Sequence, residues 1–596
     1  MTSNPITTEM LYQEMAVSFF KAQTLVSDAS LLIARLAAFR NKVYLVWQEG
    51  AKIDPNNSAS TRSDEEKLDA EINAHSAIKY RISSDYGNVF GEMATLYQCN
   101  IAQYVPPAME MSPAGRVFLA WGDGNKEATD SVVFFCRSND DGSGFEDPVI
   151  INNKDDSESK TTDSSAATTI SSRKVSAESK TEGVTEFDEK RKEFFRRGYL
   201  VPRVKLAAAG DNVYIFWSET KGQLYTDVEY RLFFRASNDG GRTFGSKKII
   251  GTTTVKASEF LRMFQINLTA SGDEVYMMWV QFTPVPGYMF SGRPNPLKAY
   301  VAISRNAGKT LERTIDLSED TIVVQGDRQE NKDDASGDRV GRTRRSVFEK
   351  LPFEIVAAGE GVLYMVLIGH ESYGQRDFLE SLMRFRPSTE GGKTTPVASN
   401  AANPNLLDIN LPIYFAKSVD YGSSFTNPVY LEDYSAGIDD TYLLRSDKDV
   451  HVIWRAVAQG GVLMSRTSTD GGKSFQPTVQ IPKIKIFHPT GSPSNSGAII
   501  TSPNGRIFIA MRKDIQSRLS KPLEPDSEMF FSASFDAGMT FTDTTRLSEN
   551  PGGDSVHNTC VYPSIYSVNG KYVYIAWSEI QNGSSFSLKF RKGIIQ

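Results

Sequence analysis

The sequence predicts an all-β chain folded as a β-propeller of four-stranded antiparallel blades. Two observations predict it: a strand pattern ending in tryptophan, and a Ser-x-Asp-x-Gly-x-x-Phe box that follows it. Both recur along the whole chain at blade-like spacing. A small sheet that cannot bury its faces alone can do so by stacking radially against copies of itself.

The tryptophan strands read VYLVW (43–47), VFLAW (117–121), VYIFW (213–217), VYMMW (275–279), VHVIW (450–454) and VYIAW (573–577). The chain has six tryptophans and all occupy this position. LYMVL (363–367) and IFIAM (507–511) put Leu367 and Met511 there instead, giving eight units; a misread weak unit would leave six or seven. Period-two alternation with β-branched and aromatic residues reads as strand. An extended run precedes each, such as LLIARLAAF (31–39), joined by tight turns such as NG at 504–505 and 569–570. A further short strand follows the box, such as PVII (148–151), so each unit is a four-stranded meander.

The box occurs at 83–90, 138–145, 237–244, 418–425, 468–475 and 534–541; a seventh copy, 304–311, carries Asn306 and Leu311 for the acid and the aromatic. Ser and Asp side chains accept bonds from nearby backbone N–H groups and close a hairpin turn. Glycine supplies positive φ, and the aromatic re-enters the sheet to pack. Asp85, Asp140, Asp239, Asp420, Asp470 and Asp536 therefore read as structural. Unit eight stops after its third strand, FSLKFRKG (586–593), while FFKAQTLVSD (19–28) resembles a fourth strand such as FTDTTRLSE (541–549). The N-terminal strand is expected to complete the last blade, leaving no open edge, in a single domain over 1–596.

Lys+Arg 66 against Asp+Glu 72, a net charge of -6, argues against nucleic acid as the main ligand. Three cysteines give no disulfide framework, and five scattered histidines give no metal centre. The N-terminus lacks the basic and apolar regions of a signal peptide, and no apolar run is long enough for a spanning helix. An intracellular or particle-associated protein is favoured over a secreted one.

The box is similar to the Asp-box, or BNR, repeat of the sialidase-like propellers, and the match recurs over the whole chain. In that family the boxes lie on hairpins away from the active-site face, and the members include sialidases, other glycosidases and non-catalytic binding propellers. The resemblance implies the fold and leaves the chemistry to the site. Sialidase-like catalysis implies three arginines on the substrate carboxylate, a tyrosine nucleophile assisted by a glutamate, and an acid/base aspartate. The F/Y-R-I-P stretch of typical sialidases has no match; IARL (33–36) and VPRV (201–204) offer Arg35 and Arg203. Arg455 and Arg512 follow the tryptophan position in two units. CVYPSIYS (560–567) resembles the tyrosine strand, making Tyr562 or Tyr566 the candidate nucleophile, and Asp439 and Asp440 are candidate acids. No glutamate can be assigned. The competing reading of each is a surface ion pair or a satisfied inner-strand polar group.

Long polar insertions fall at 48–79, 152–196, 318–350 and 371–410; the first two leave different blade corners and need not share a face. Segment 152–196 has too few apolar residues to offset its ordering entropy and is expected to be mobile, and 327–345 ends in a basic cluster suited to a polyanion. Asp-rich loops raise calcium, but no ligand ladder occurs outside the boxes, and no cofactor is expected. The sequence favours a non-catalytic binding or scaffold propeller recognising a glycan or protein surface through loops on one face. The alternative is a sialidase-like exo-glycosidase that hydrolyses terminal acidic sugars through Arg512, Arg455 and Tyr562.

Overall fold

The structure is a computed structural model and describes residues 16–29, 32–50, 76–100, 106–124, 131–153, 202–221, 228–255, 265–282, 297–317, 349–370, 411–426, 428–434, 441–447, 449–456, 462–481, 497–514, 527–549, 558–581 and 585–596. The described residues form eight antiparallel sheets. In blade three the chain runs Val204–Ala209, Asn212–Lys221, Val228–Ser237 and Lys248–Val255, each strand paired with the next. Blades one to seven all have this order.

The first strands of the blades are Leu32–Phe39, Ala108–Met111, Val204–Ala209, Gln265–Ser271, Glu349–Gly359, Thr441–Ser446, Gly497–Thr501 and Asn558–Val568. Each touches the first strand of the next blade, and the last touches the first. These strands form the inner wall of a closed eight-bladed propeller. Blade eight is completed from the other end of the chain: Val17–Phe19 and Gln23–Ala29 both pair with Ser585–Ile595. The expected N-terminal closure is present, extended by an additional short strand.

The tryptophan strand is second in each blade and is buried on both faces, so its residues alternate between two seams. Each of the eight seams between blades holds its own apolar cluster. Trp47, Trp121, Trp217, Trp279, Trp454 and Trp577 all point toward the preceding blade, as do Leu367 and Met511. An indole of this kind buries roughly 200 Å², worth about 5 kcal/mol before ordering entropy is subtracted.

The boxes sit at the hairpin after the third strand. In blade six Ser468 Oγ accepts from the Gly472 amide at 2.8 Å, and Asp470 Oδ1 accepts from the Lys473 and Ser474 amides at 2.9 Å each. Gly472 holds φ 82°, and a Cβ there would meet the Phe415 ring at 2.6 Å, so glycine is required twice over. Phe475 returns against Phe415 of the preceding blade, edge to face at 4.9 Å. The seventh copy keeps the turn: Asn306 Oδ1 accepts from the Thr310 amide at 3.0 Å. Blade two differs. Its hairpin closes through the Gly142 and Asn139 amides, Asp141 accepts from Ser143, and Asp140 swings out to pair with Arg116.

Candidate functional site

Strand direction divides the propeller into two faces. The first and third strands of a blade run one way, the second and fourth the other. Every box hairpin therefore lies on one face. The opposite face carries the connections between second and third strands and those between blades. The described strand ends that flank all four long insertions lie on this second face, here the loop face. The first two insertions do leave different corners, but meander topology puts both corners on the same side.

Arg455 and Arg512 occupy the position after tryptophan in blades six and seven, at the loop-face ends of Asp449–Ala456 and Ile507–Asp514. Arg455 is 9% exposed and Arg512 5%. Strand alternation turns each toward the following blade. Arg512 faces Cys560 on the inner strand of blade eight: burial drives that thiol well above its usual range, Glu579 adds to the shift, and Arg512 opposes it.

Tyr562 lies two residues beyond Cys560. Pairing with the second strand slips between Val561 and Ser564, leaving Tyr562 in a bulge with φ 54°. Among the described non-glycine residues with positive φ, the other eight lie in hairpin turns, and Tyr562 alone lies inside a strand. A bulky residue in that conformation stores strain and re-aims its side chain. Tyr566 stays in regular pairing, and burial together with nearby Glu110 pushes its phenol up to about 12. Of the two tyrosines, Tyr562 has the unusual geometry. Asp439 and Asp440 lie outside the described residues.

The structure brings Arg455, Arg512 and Tyr562 onto consecutive blades at one face. Arg35 is on the inner strand of blade one, register-paired with Val46, where burial lowers its pKa. Arg203 is exposed just before the inner strand of blade three. Toward the axis stand two carboxyls that sequence reasoning missed. Surrounding protein raises Glu110 to about 7. It does the same to Glu354, opposed by the Leu443 amide and by Lys205. Nothing in the local sequence marks either, because ring closure alone places them.

A second missed feature was legible as W-x-E. Trp47, Trp217 and Trp577 donate their indole N–H to Glu49, Glu219 and Glu579, at 3.4, 2.8 and 3.0 Å. Residues two apart on a strand share a face, so each glutamate caps the indole at the loop-face end of its seam. These acids have further partners: Lys79 for Glu49, Asn152 for Glu219 and Lys589 for Glu579. Asp123 accepts from Tyr97 Oη at 3.0 Å and from the Asn100 amide at 2.8 Å. Among the described residues no group of three or more His, Cys, Asp or Glu side chains could hold a metal ion. No helix among them is long and apolar enough to cross a membrane.

The chain matches no protein-family model and no curated protein. Among solved structures it is similar to a polysaccharide lyase, PL25 ulvan lyase, with 9% identity and a TM-score of 0.39 over 86% of this chain and 95% of that one. It is similar to an α-L-arabinofuranosidase from Fusarium graminearum (12%, TM-score 0.32, 68% and 87% covered). It also resembles Trypanosoma rangeli sialidase (12%, TM-score 0.29, 65% and 54% covered), of which it spans about half the length. At these identities and scores the likenesses assign no activity.

Proposed function

We propose that this chain is an Asp-box propeller of the sialidase-like superfamily acting as a non-catalytic binding or scaffold module, which recognises a glycan or protein surface through its loop face. The observation that carries the reading is the division of labour between faces. The box face is occupied by short hairpins closed on their own side chains. The loop face receives the ends of all four long insertions together with Arg455, Arg512 and Tyr562. The carboxylates Glu49, Glu219, Glu579 and Asp123 at those strand ends hold indoles, amides and neighbouring side chains in place, which favours binding over acid/base chemistry. The test is a glycan array of acidic and neutral saccharides, probed with wild type, Arg512→Ala on the loop face and Lys473→Ala on the box face. Binding lost only in Arg512→Ala supports the reading; binding lost only in Lys473→Ala contradicts it.

A second reading, a sialidase-like exo-glycosidase acting on terminal acidic sugars, is favoured by one observation. The strained Tyr562 stands near the arginine that reaches blade eight, and strained residues cluster where chemistry is done.

A further inference from the structure

Among the described residues two buried indoles lack a partner: Trp121, although Asp123 stands at the capping position, and Trp454. Blade six departs from the capped blades in two ways. Where Glu49, Glu219 and Glu579 cap their tryptophans, blade six has Ala456, and Trp454 Nε1 is buried without a hydrogen-bond partner. The residue paired across from the tryptophan also changes. Ala34, Val204 and Ile266 lie opposite Trp47, Trp217 and Trp279, but Thr441 lies opposite Trp454, and its Oγ1 is buried without a partner too. Trp454 is 0% exposed and Thr441 4%. Paired residues on neighbouring strands carry their side chains on the same side with Cβ atoms about 5 Å apart, and both point into the seam with blade five.

Two hydrogen-bond donors thus converge at the loop-face end of this seam, at the place where sister blades supply a carboxylate. Leaving such buried donors unsatisfied is costly, and an acceptor arriving from outside would recover that cost. The geometry points to a carboxylate-binding site at the loop-face end of the seam between blades five and six, in which a ligand carboxylate takes the place of the missing glutamate and accepts from Trp454 Nε1–H and Thr441 Oγ–H. Glu354, in the same seam, is engaged two residues further from the loop face by the Leu443 amide. Its pKa of about 7 leaves it largely neutral at pH 6, where it repels an incoming anion little. The site gives the loop-face reading a ligand chemistry, but it rests on blade six alone and can fail while loop-face binding stands.

The experiment follows the six indole N–H signals of the ¹⁵N-tryptophan-labelled full chain at pH 6, with Trp454 assigned through Trp454→Phe. Acetate is the first probe, glucuronate and a Glu-containing tripeptide the second and third, with chloride at equal ionic strength as control. Because both donors are enclosed, exchange is expected to be slow, so acetate should produce a second, saturable Trp454 signal while the other five stay put. Glucuronate binding more tightly than the peptide identifies a saccharide acid as the source, and the reverse identifies an acidic side chain. Ala456→Glu restores the internal cap and should abolish the second signal while raising thermal stability. No acetate-specific change at Trp454 overturns the proposal, and so does a response that survives Ala456→Glu in a folded protein.

Discussion

Ser564, on the inner strand of blade eight, accepts a hydrogen bond through Oγ from the backbone amide of Leu36, on the inner strand of blade one, at 3.1 Å. An inner strand has no neighbouring strand on its axial side, so its amides there need acceptors from elsewhere. Two other seams use the same device. Thr269 Oγ1 accepts from the Ala357 amide at 2.9 Å, and Glu354 accepts from the Leu443 amide. Each acceptor belongs to the preceding blade, so the ring is stitched in one direction as well as packed.

Ser564→Ala should therefore weaken the closing seam. It leaves the buried Leu36 amide without its acceptor, a loss of about 1–3 kcal/mol. Thermal unfolding should show a lower midpoint, with Ser564→Thr largely restoring it. An alanine variant as stable as wild type would mean that packing alone closes the ring.

The boxes of blades two and six should respond differently to the same change. Asp470 accepts two backbone amides and the Ser474 hydroxyl, so Asp470→Ala should clearly lower the unfolding midpoint. Asp140 instead pairs with Arg116 on a side chain that is 72% exposed, so Asp140→Ala should barely move the midpoint. Denaturant unfolding of the two variants tests this directly, and equal losses would refute the distinction.

His451 should make stability depend on pH. It is fully buried in a position that is tyrosine or phenylalanine in the other blades, and its Nδ1 lies 3.0 Å from Thr467 Oγ1. Burial lowers its pKa to about 4, against about 6.5 in the unfolded chain. The unfolded state therefore binds the extra proton between those values. The contribution, at most on the order of 3 kcal/mol, is complete above pH 6.5 and is lost as pH falls toward 4. His451→Phe should flatten the stability profile across that window, and an unchanged slope would place the titration elsewhere.

The features legible in the sequence are those that each blade repeats locally. Trp47 and Trp577 could be equated because the strand period and the flanking turns are short-range signals, and even the degraded box at Ser304 still closes its turn through Asn306. The Asp140 departure was hidden because DDGSG offers two adjacent acids to one turn, and the hairpin geometry decides which of them turns inward. Glu110 and Glu354 were illegible for another reason: each acquires the burial that raises its pKa only when the inner strands close into a ring. The Tyr562 bulge depends on how the second strand pairs with an inner strand that contains Pro563, which motif spacing does not encode.

The capping glutamates give a prediction that links the blades. Glu219→Ala should leave the Trp217 N–H as exposed to lost bonding as that of Trp454, at a cost of about 1–3 kcal/mol. Glu219→Gln keeps an acceptor and should cost less. Differential scanning calorimetry on both variants separates loss of the bond from loss of charge, and equal losses would show that charge, not the indole bond, is what Glu219 supplies.

We propose that the loop face binds and does not catalyse. This is tested most directly by measuring sugar release from a panel of fluorogenic glycosides, sialosides included, with wild type, Tyr562→Phe and Arg512→Ala. No turnover above the no-protein control is expected for any substrate. Turnover by wild type that disappears in both variants would contradict it and make this propeller a glycosidase.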